Sequence, residues 1–222
     1  MAASGVGSSL TTIAKESLRD QVLQALRSAI VSGEMEPGTV YSAPFLARRF
    51  GVSATPVREA MLDLARENMV TIVPNKGFRV TEVDDVELDR ITQIRQLLEP
   101  PVVAAVTPDI PDADFGELER LAEDIVAGAR AADLVAYTEA DRLFHLKLLS
   151  YADNPRLTDL VSELRGQTRL LGLTRLLEQG TLVEAAREHL TIVELIRSRD
   201  SSAVEAYMHQ HISKVRTTWA RR

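Results

Sequence analysis

The 222-residue chain contains no cysteine. That excludes a disulfide framework, a thiolate zinc site and a cysteine nucleophile. No apolar run approaches the ~20 residues that a helix needs to cross a bilayer, so no membrane partner is expected. Met1 to Thr12 is small and polar, lacking the basic start and apolar stretch of a signal peptide. Residues 1–13 therefore read as a flexible tail on a cytoplasmic protein. Histidine is also scarce: His145, His189, His209 and His211 make up the whole complement, and all lie in the second half. The remaining composition is that of an ordinary folded protein, with 45% hydrophobic and 26% charged residues. The length suits one large domain or two small ones.

Charge divides the chain unevenly. Residues 1–80 carry nine basic and seven acidic side chains, whereas 81–222 carry 17 basic and 25 acidic ones. Phosphate would repel the acidic second part, so a nucleic-acid partner belongs to the first third.

The order of elements in that third is informative. Leu18, Val22, Leu23, Ala25, Leu26, Ala29 and Ile30 form a helical stripe that stops at Gly33, before a Glu36-Pro37-Gly38 turn. A second helix is predicted from about Pro44 to Phe50, with Ser42 as its N-cap and Gly51 ending it in a left-handed conformation. A third helix runs from Val52-Ser53-Ala54-Thr55-Pro56 to about Asn68. Met69–Val73 and Phe78–Val83, separated by Pro74-Asn75-Lys76-Gly77, then read as a hairpin. Helix, helix, tight turn, helix, hairpin is the order of a winged helix-turn-helix, which sends the start of its third helix into the major groove. Ser53 and Thr55 stand at that start, where hydroxyls and free N–H groups meet phosphate or base edges. Arg58 lies one turn further on, with the reach and fork for guanine, unless Glu59 or Asp63 pairs with it. Lys76 sits at the hairpin tip, beside the DNA backbone or minor groove.

Beyond Val83 strand signals vanish. Helices are predicted at 84–106, 114–130, 133–151, 154–177, 181–198 and 201–219, with a kink or restart at Pro100-Pro101. The fold class is thus mostly α: a winged domain over 14–80, then an antiparallel bundle of about six helices over 81–222. Asp141 precedes His145 by four residues and shares its helix face with Phe144, Leu148 and Leu149. His189 follows a stripe of Leu182, Ala186, Val193 and Ile196, and His211 lines up with Val204, Met208, Val215 and Trp219. His209 lies about 200° round its helix from His211, toward solvent. Three imidazoles and one carboxylate therefore face one interior from three helices. Burying them is costly unless something satisfies their nitrogens: for each histidine alone a neighbouring carbonyl or acid suffices, but for the four together a divalent metal is expected, zinc first, with nickel, manganese or iron as alternatives. A small carboxylate can complete the coordination sphere. Arg95, Arg165 and Arg169 are candidates to clamp its far end, with Arg95 preferred because it sits amid Ile91, Ile94 and Leu98; each is otherwise an ordinary ion-paired arginine.

These segments resemble a known family. Ser32-Gly33-Glu34-Met35-Glu36-Pro37-Gly38, the stretch Phe50 to Met61, and Pro74 to Val80 are similar to the first turn, recognition segment and wing of GntR-type transcription regulators. The second half resembles the FCD ligand-binding domain of the FadR subfamily at Asp141-x3-His145, Asn154-Pro155-Arg156-Leu157, Glu188-His189 and His211-Ile212. Its six expected helices resemble the VanR-type branch. The resemblance implies a homodimeric regulator, a repressor first, on a pseudopalindromic operator. It places metal ligands at Asp141, His145, His189 and His211, and DNA contacts at Ser53, Thr55, Arg58, Asn75, Lys76 and Gly77. Two departures stand out: Ala54 where the family often has Arg, and Ala43-Pro44 at the start of the second helix. Arg49, with Arg48, is a candidate to compensate through phosphates. The expected function is a ligand-responsive transcription regulator and not an enzyme. The rivals are a metal-dependent hydrolase, since such a site can activate water, and a regulator whose metal is purely structural.

Overall fold

The structure is a computed structural model that describes residues 17–82, 84–168 and 173–219. The expected tail, Met1 to Ile13, and Arg169 lie outside those residues. The first helix, α1 (Leu18–Val31), starts where the Ser17 hydroxyl accepts the Asp20 amide, and it buries Val22, Leu26 and Ile30. A two-residue strand β1 (Val40–Tyr41) leads into α2 (Ala43–Phe50), whose Ser42 cap accepts the Phe45 amide. Gly51 closes α2 in the left-handed region at φ 67°, and α3 (Ala54–Arg66) departs from there. Val57, Ala60, Met61 and Leu64 of α3 are buried against α1 and α2.

The hairpin is β2 (Val70–Val73) and β3 (Gly77–Val80), antiparallel, with Val70 opposite Val80 and Val73 opposite Gly77. A third strand joins it: β1 pairs with β3 on the other side, giving the order β1-β3-β2. Two residues are too few to show an alternation, so β1 left no period in the sequence. Gly77 is obligatory here. Its φ is 139°, and a Cβ would stand 2.3 Å from the Tyr41 carbonyl oxygen where β1 crosses β3.

The second half is helical throughout: α4 (Asp85–Val106), α5 (Phe115–Arg130), α6 (Leu134–Ser150), α7 (Pro155–Thr168), α8 (Leu173–Glu178), α9 (Leu182–Arg197) and α10 (Ser201–Trp219), with two 3-10 turns between α4 and α5. The described part of the second half comprises seven α-helical segments; the stretch expected as one helix over 154–177 is described as α7 and α8, and residues 169–172 lie outside the described residues. The expected restart at Pro100-Pro101 does not occur; α4 runs through both prolines as one helix lying along α10. The two missing amides are tolerated because Pro100 is buried in the bundle, where packing holds the helix together.

Each half has its own core. Leu26, Met61 and Leu64 anchor the first, and Phe144, Leu148, Ile125 and Ile196 the second. Leu134, at the start of α6, packs against both. A polar cleft of about 570 Å³ runs along the joint, walled by Arg27 and Glu67 on one side and by Glu139, Arg142, Asp159 and Glu163 on the other. At one edge α7 touches the first half directly: a Cβ on Gly166 would lie 2.7 Å from the carbonyl oxygen of Glu67, the residue that caps α3.

Candidate metal centre and nucleic-acid interface

Three helices bring the predicted ligands together. Asp141 and His145 share a face of α6, His189 projects from α9, and His211 from α10. The three histidines each offer a ring nitrogen within 4.8 Å of the others. His145 Nε2 and His189 Nε2 are 3.3 Å apart. Asp141 Oδ1 is 3.1 Å from His189 Nε2 and 3.7 Å from His145 Nε2. The His211 ring stacks on His145 and meets His189 edge-on, with centroids 5.3 and 4.7 Å apart. His209 is exposed, as its phase on the helix predicts.

The hydrogen bonds on the far side of the rings set their tautomers. His189 Nδ1 donates to the Ala186 carbonyl at 2.9 Å, and His211 Nδ1 donates to Glu188 Oε2 at 2.8 Å. His145 Nδ1 lies 3.5 Å from Glu99 Oε2. A neutral imidazole with its proton on Nδ1 presents a lone pair at Nε2. Lone pairs of His145 and His189 therefore face each other and a carboxylate oxygen. One shared proton relieves one such contact, whereas a cation relieves all of them. Two donors held 2.1 Å from a cation at 90–109° are separated by about 3.0–3.4 Å, close to the spacing seen here. The three histidines could hold a divalent metal, with the Asp141 carboxylate beside two of them.

Beneath this cluster lies a buried ring of charge that the sequence did not announce. Glu99, on α4, has a side chain that is 0% exposed. Its Oε1 accepts from Arg95 Nε at 2.6 Å, and its Oε2 accepts from Arg165 Nη1 at 3.0 Å. Arg165 Nη2 donates in turn to Asp141 Oδ2 at 2.5 Å. Burial pushes both carboxyls up, but the charges beside them prevail. The Arg165 charge holds Asp141 well below the usual carboxylate range, and Arg95 and Arg165 hold Glu99 below it. Burial drives His145 well below the ordinary imidazole value, with the Arg165 charge adding to it. His211 is lowered by burial too, against the opposing hydrogen bond to Glu188. Lys214 also reaches Glu188. His145 and His211 are thus kept neutral, the form that ligates a metal.

Arg95 stands beside the cluster as expected, but Glu99 holds its guanidinium. Glu99 lies on one stripe with Leu88, Ile91 and Arg95, and an acid four residues after an arginine on an apolar face was the available signal. Thr92 shares that stripe, and its Oγ1 is buried with no hydrogen-bond partner among the described residues.

At the other end, Ser53, Thr55 and Arg58 are exposed around the first turn of α3. Ser53 makes no side-chain cap bond, which leaves its hydroxyl for an outside partner. Arg58 has no ion pair with a described residue; Asp63 is held instead by Arg19 and Arg66. Asn75, at φ 60°, and Lys76 project from the hairpin tip beside Gly77. Arg49 pairs with Glu34 at 3.0 Å, but both side chains are more than half exposed, a contact worth little against a phosphate. Arg48, Arg58, Lys76 and Arg79 are likewise exposed.

Comparison with known proteins agrees with both ends of the molecule. Residues 18–80 match the model of bacterial regulatory proteins of the gntR family, and residues 90–214 match the FCD domain. The HTH-type transcriptional regulator McbR of Escherichia coli K12 is 32% identical over 148 residues, 67% of each chain. The HTH-type transcriptional repressor RspR of the same organism is 28% identical over 201 residues, 89% of this chain and 87% of the other. The solved structure of E. coli McbR/YncC superposes with a TM-score of 0.68 at 27% identity, over 90% of this chain and 95% of that one.

Proposed function

This chain belongs to the GntR family of bacterial regulatory proteins and carries its FCD domain, and from that premise we propose that it is a repressor whose DNA grip is set by a small carboxylate bound at a divalent metal. The winged half, taken to end near Val80, reads an operator through Ser53, Thr55 and Arg58 in the major groove. Asn75, Lys76 and Gly77 lie on the neighbouring backbone or minor groove, and Arg49 on a phosphate. The helical half holds the metal on Asp141, His145, His189 and His211, with zinc the first candidate. The metal supplies a Lewis-acidic position for an anion. Thr92 Oγ1 is a buried group that a polar atom of the bound acid would satisfy. Arg169 remains a candidate for the acid's far end.

The observation that carries this reading is the convergence of the His189 and His145 Nε2 atoms on the Asp141 carboxylate, 3.1 and 3.7 Å away, one domain removed from an exposed recognition helix. Coupling needs a contact that differs between two arrangements of the domains. Arg165 and Gly166 are consecutive: the first grips Asp141, and the second lies against the Glu67 carbonyl at the end of α3. A shift of α7 at the metal is therefore felt at the recognition helix. A pseudopalindromic site is read by two copies. The second copy is placed on the outer stripe of α4, where Val86, Ile94 and Leu97 are 56, 40 and 69% exposed.

The test is operator binding by zinc-loaded protein, titrated with a panel of small carboxylic acids, alongside elemental analysis. An acid that changes operator affinity only in metal-loaded protein is the expected result. Indifference to every acid and to chelation would reduce the helical half to a platform for dimerisation.

A further inference from the structure

Glu99 ties together two helices of the centre from a third. From α4 it reaches α6 through His145 and α7 through Arg165, and it is fully enclosed. An enclosed carboxylate is costly, and two arginines are present to offset it. Arg165 is shared between Glu99 and Asp141, so Glu99 fixes the guanidinium that in turn fixes one carboxylate oxygen of Asp141. That leaves Asp141 Oδ1 turned toward the Nε2 atoms of His145 and His189. The other contact of Glu99 is with the non-ligating side of His145. An anion there favours a proton on Nδ1 and a lone pair on Nε2. Ala186 and Glu188 supply the corresponding acceptors for His189 and His211.

We propose that Glu99 is the positioning residue of the metal centre: it sets the tautomer of His145 and, through Arg165, the orientation of Asp141. This rests on the metal reading above. Outer carboxylates that orient a ligating imidazole commonly contribute one to two orders of magnitude in metal affinity. Here one carboxylate acts on two of the four ligands. It also occupies Arg95, the arginine that would otherwise be offered to an incoming acid.

The experiment compares the parent protein with Glu99→Gln and with the double variant Arg95→Met/Glu99→Gln, which removes one charge of each sign and so leaves no unpaired buried arginine. Zinc affinity is measured by competition with a chromophoric chelator, cobalt-loaded protein by its visible d–d absorption, and melting with and without zinc. Both variants are expected to bind zinc about 10- to 100-fold more weakly, to show a shifted cobalt band, and to lose part of the zinc-induced rise in melting temperature. A structural role alone would lower the melting of both forms equally and leave the cobalt band in place. Variants that bind zinc within twofold of the parent with an unchanged cobalt band overturn the proposal. If the parent binds neither zinc nor cobalt, the metal reading itself falls and takes the proposal with it. Should neither variant fold, the imidazole 15N spectrum of the zinc-loaded parent decides: Nδ1–H at His145 supports the assignment, and Nε2–H refutes it.

Discussion

Gly166 offers the sharpest test of how the two halves communicate. Replacing a helical glycine by alanine ordinarily stabilises a helix by up to about 1 kcal/mol. Gly116, on α5, is such a site, since nothing lies within 4 Å of a Cβ built there. At Gly166 the same methyl meets the Glu67 carbonyl oxygen at 2.7 Å. Ordinary contact begins near 3.4 Å, so the carbonyl must withdraw by about 0.7 Å, and it is backbone at the cap of the recognition helix. Overpacking of this kind costs about 1–3 kcal/mol, which outweighs the helical gain. Gly166→Ala should therefore melt a few degrees below the parent while Gly116→Ala melts at or above it, given roughly 2–4 °C per kcal/mol for a chain of this size. The second readout is operator affinity and its response to acid. Opening the joint by 0.7 Å should change the response in Gly166→Ala and leave Gly116→Ala like the parent. If both variants are stabilised alike and bind operator alike, α7 does not bear on the recognition helix and the proposed coupling is wrong.

The remaining expectations concern single groups. Arg58→Ala should weaken specific operator binding by about 1–3 kcal/mol, measured by fluorescence anisotropy against random DNA of equal length; an unchanged ratio of the two affinities would remove Arg58 from base reading. In metal-free protein the folded pKa values of His145 and His211 lie below that of an unfolded histidine, about 6.5. Between the folded value and 6.5 the unfolded chain binds more protons, so stability must fall as pH drops below about 6.5. Asp141 and Glu99, lowered by their arginines, contribute stability that is present above the unfolded carboxylate value near 4 and is lost as pH falls through their folded values. Urea titrations in chelator across pH 4–8 read this; flat stability from 7 to 5 would contradict it. Leu97→Asp, at the most exposed apolar position of α4, should shift the assembly toward monomer by light scattering and weaken operator binding with it. An unchanged dimer would move the second copy to another face.

Periodicity carried most of the architecture. Helical phase turned Asp141, His145, His189 and His211 inward, because four-residue spacing on a helix is rigid and each stripe also carried buried aliphatics, and the structure brings the three histidines within 4.8 Å of one another. What stayed hidden has equally physical causes. β1 is shorter than the alternation that would reveal it, and its presence shows only in the glycine it forces at position 77. Glu99 was legible only as an acid one turn after Arg95; its link to Arg165, sixty-six positions later, left no local pattern. Arg95 was legible as an inward-facing arginine but not as one already engaged.

The ring of Arg95, Glu99, Arg165 and Asp141 contains two positive and two negative groups, so it is electrically closed before any ion arrives. The imidazoles above it are neutral when they ligate. A divalent ion seated among them would bring two uncompensated positive charges into a dry interior, and the arginines, already spoken for, could not be what summons an acid there. The acid would answer the ion. On the function proposed above, the helical half would work as a conjunction, registering a small acid only when the metal is already seated.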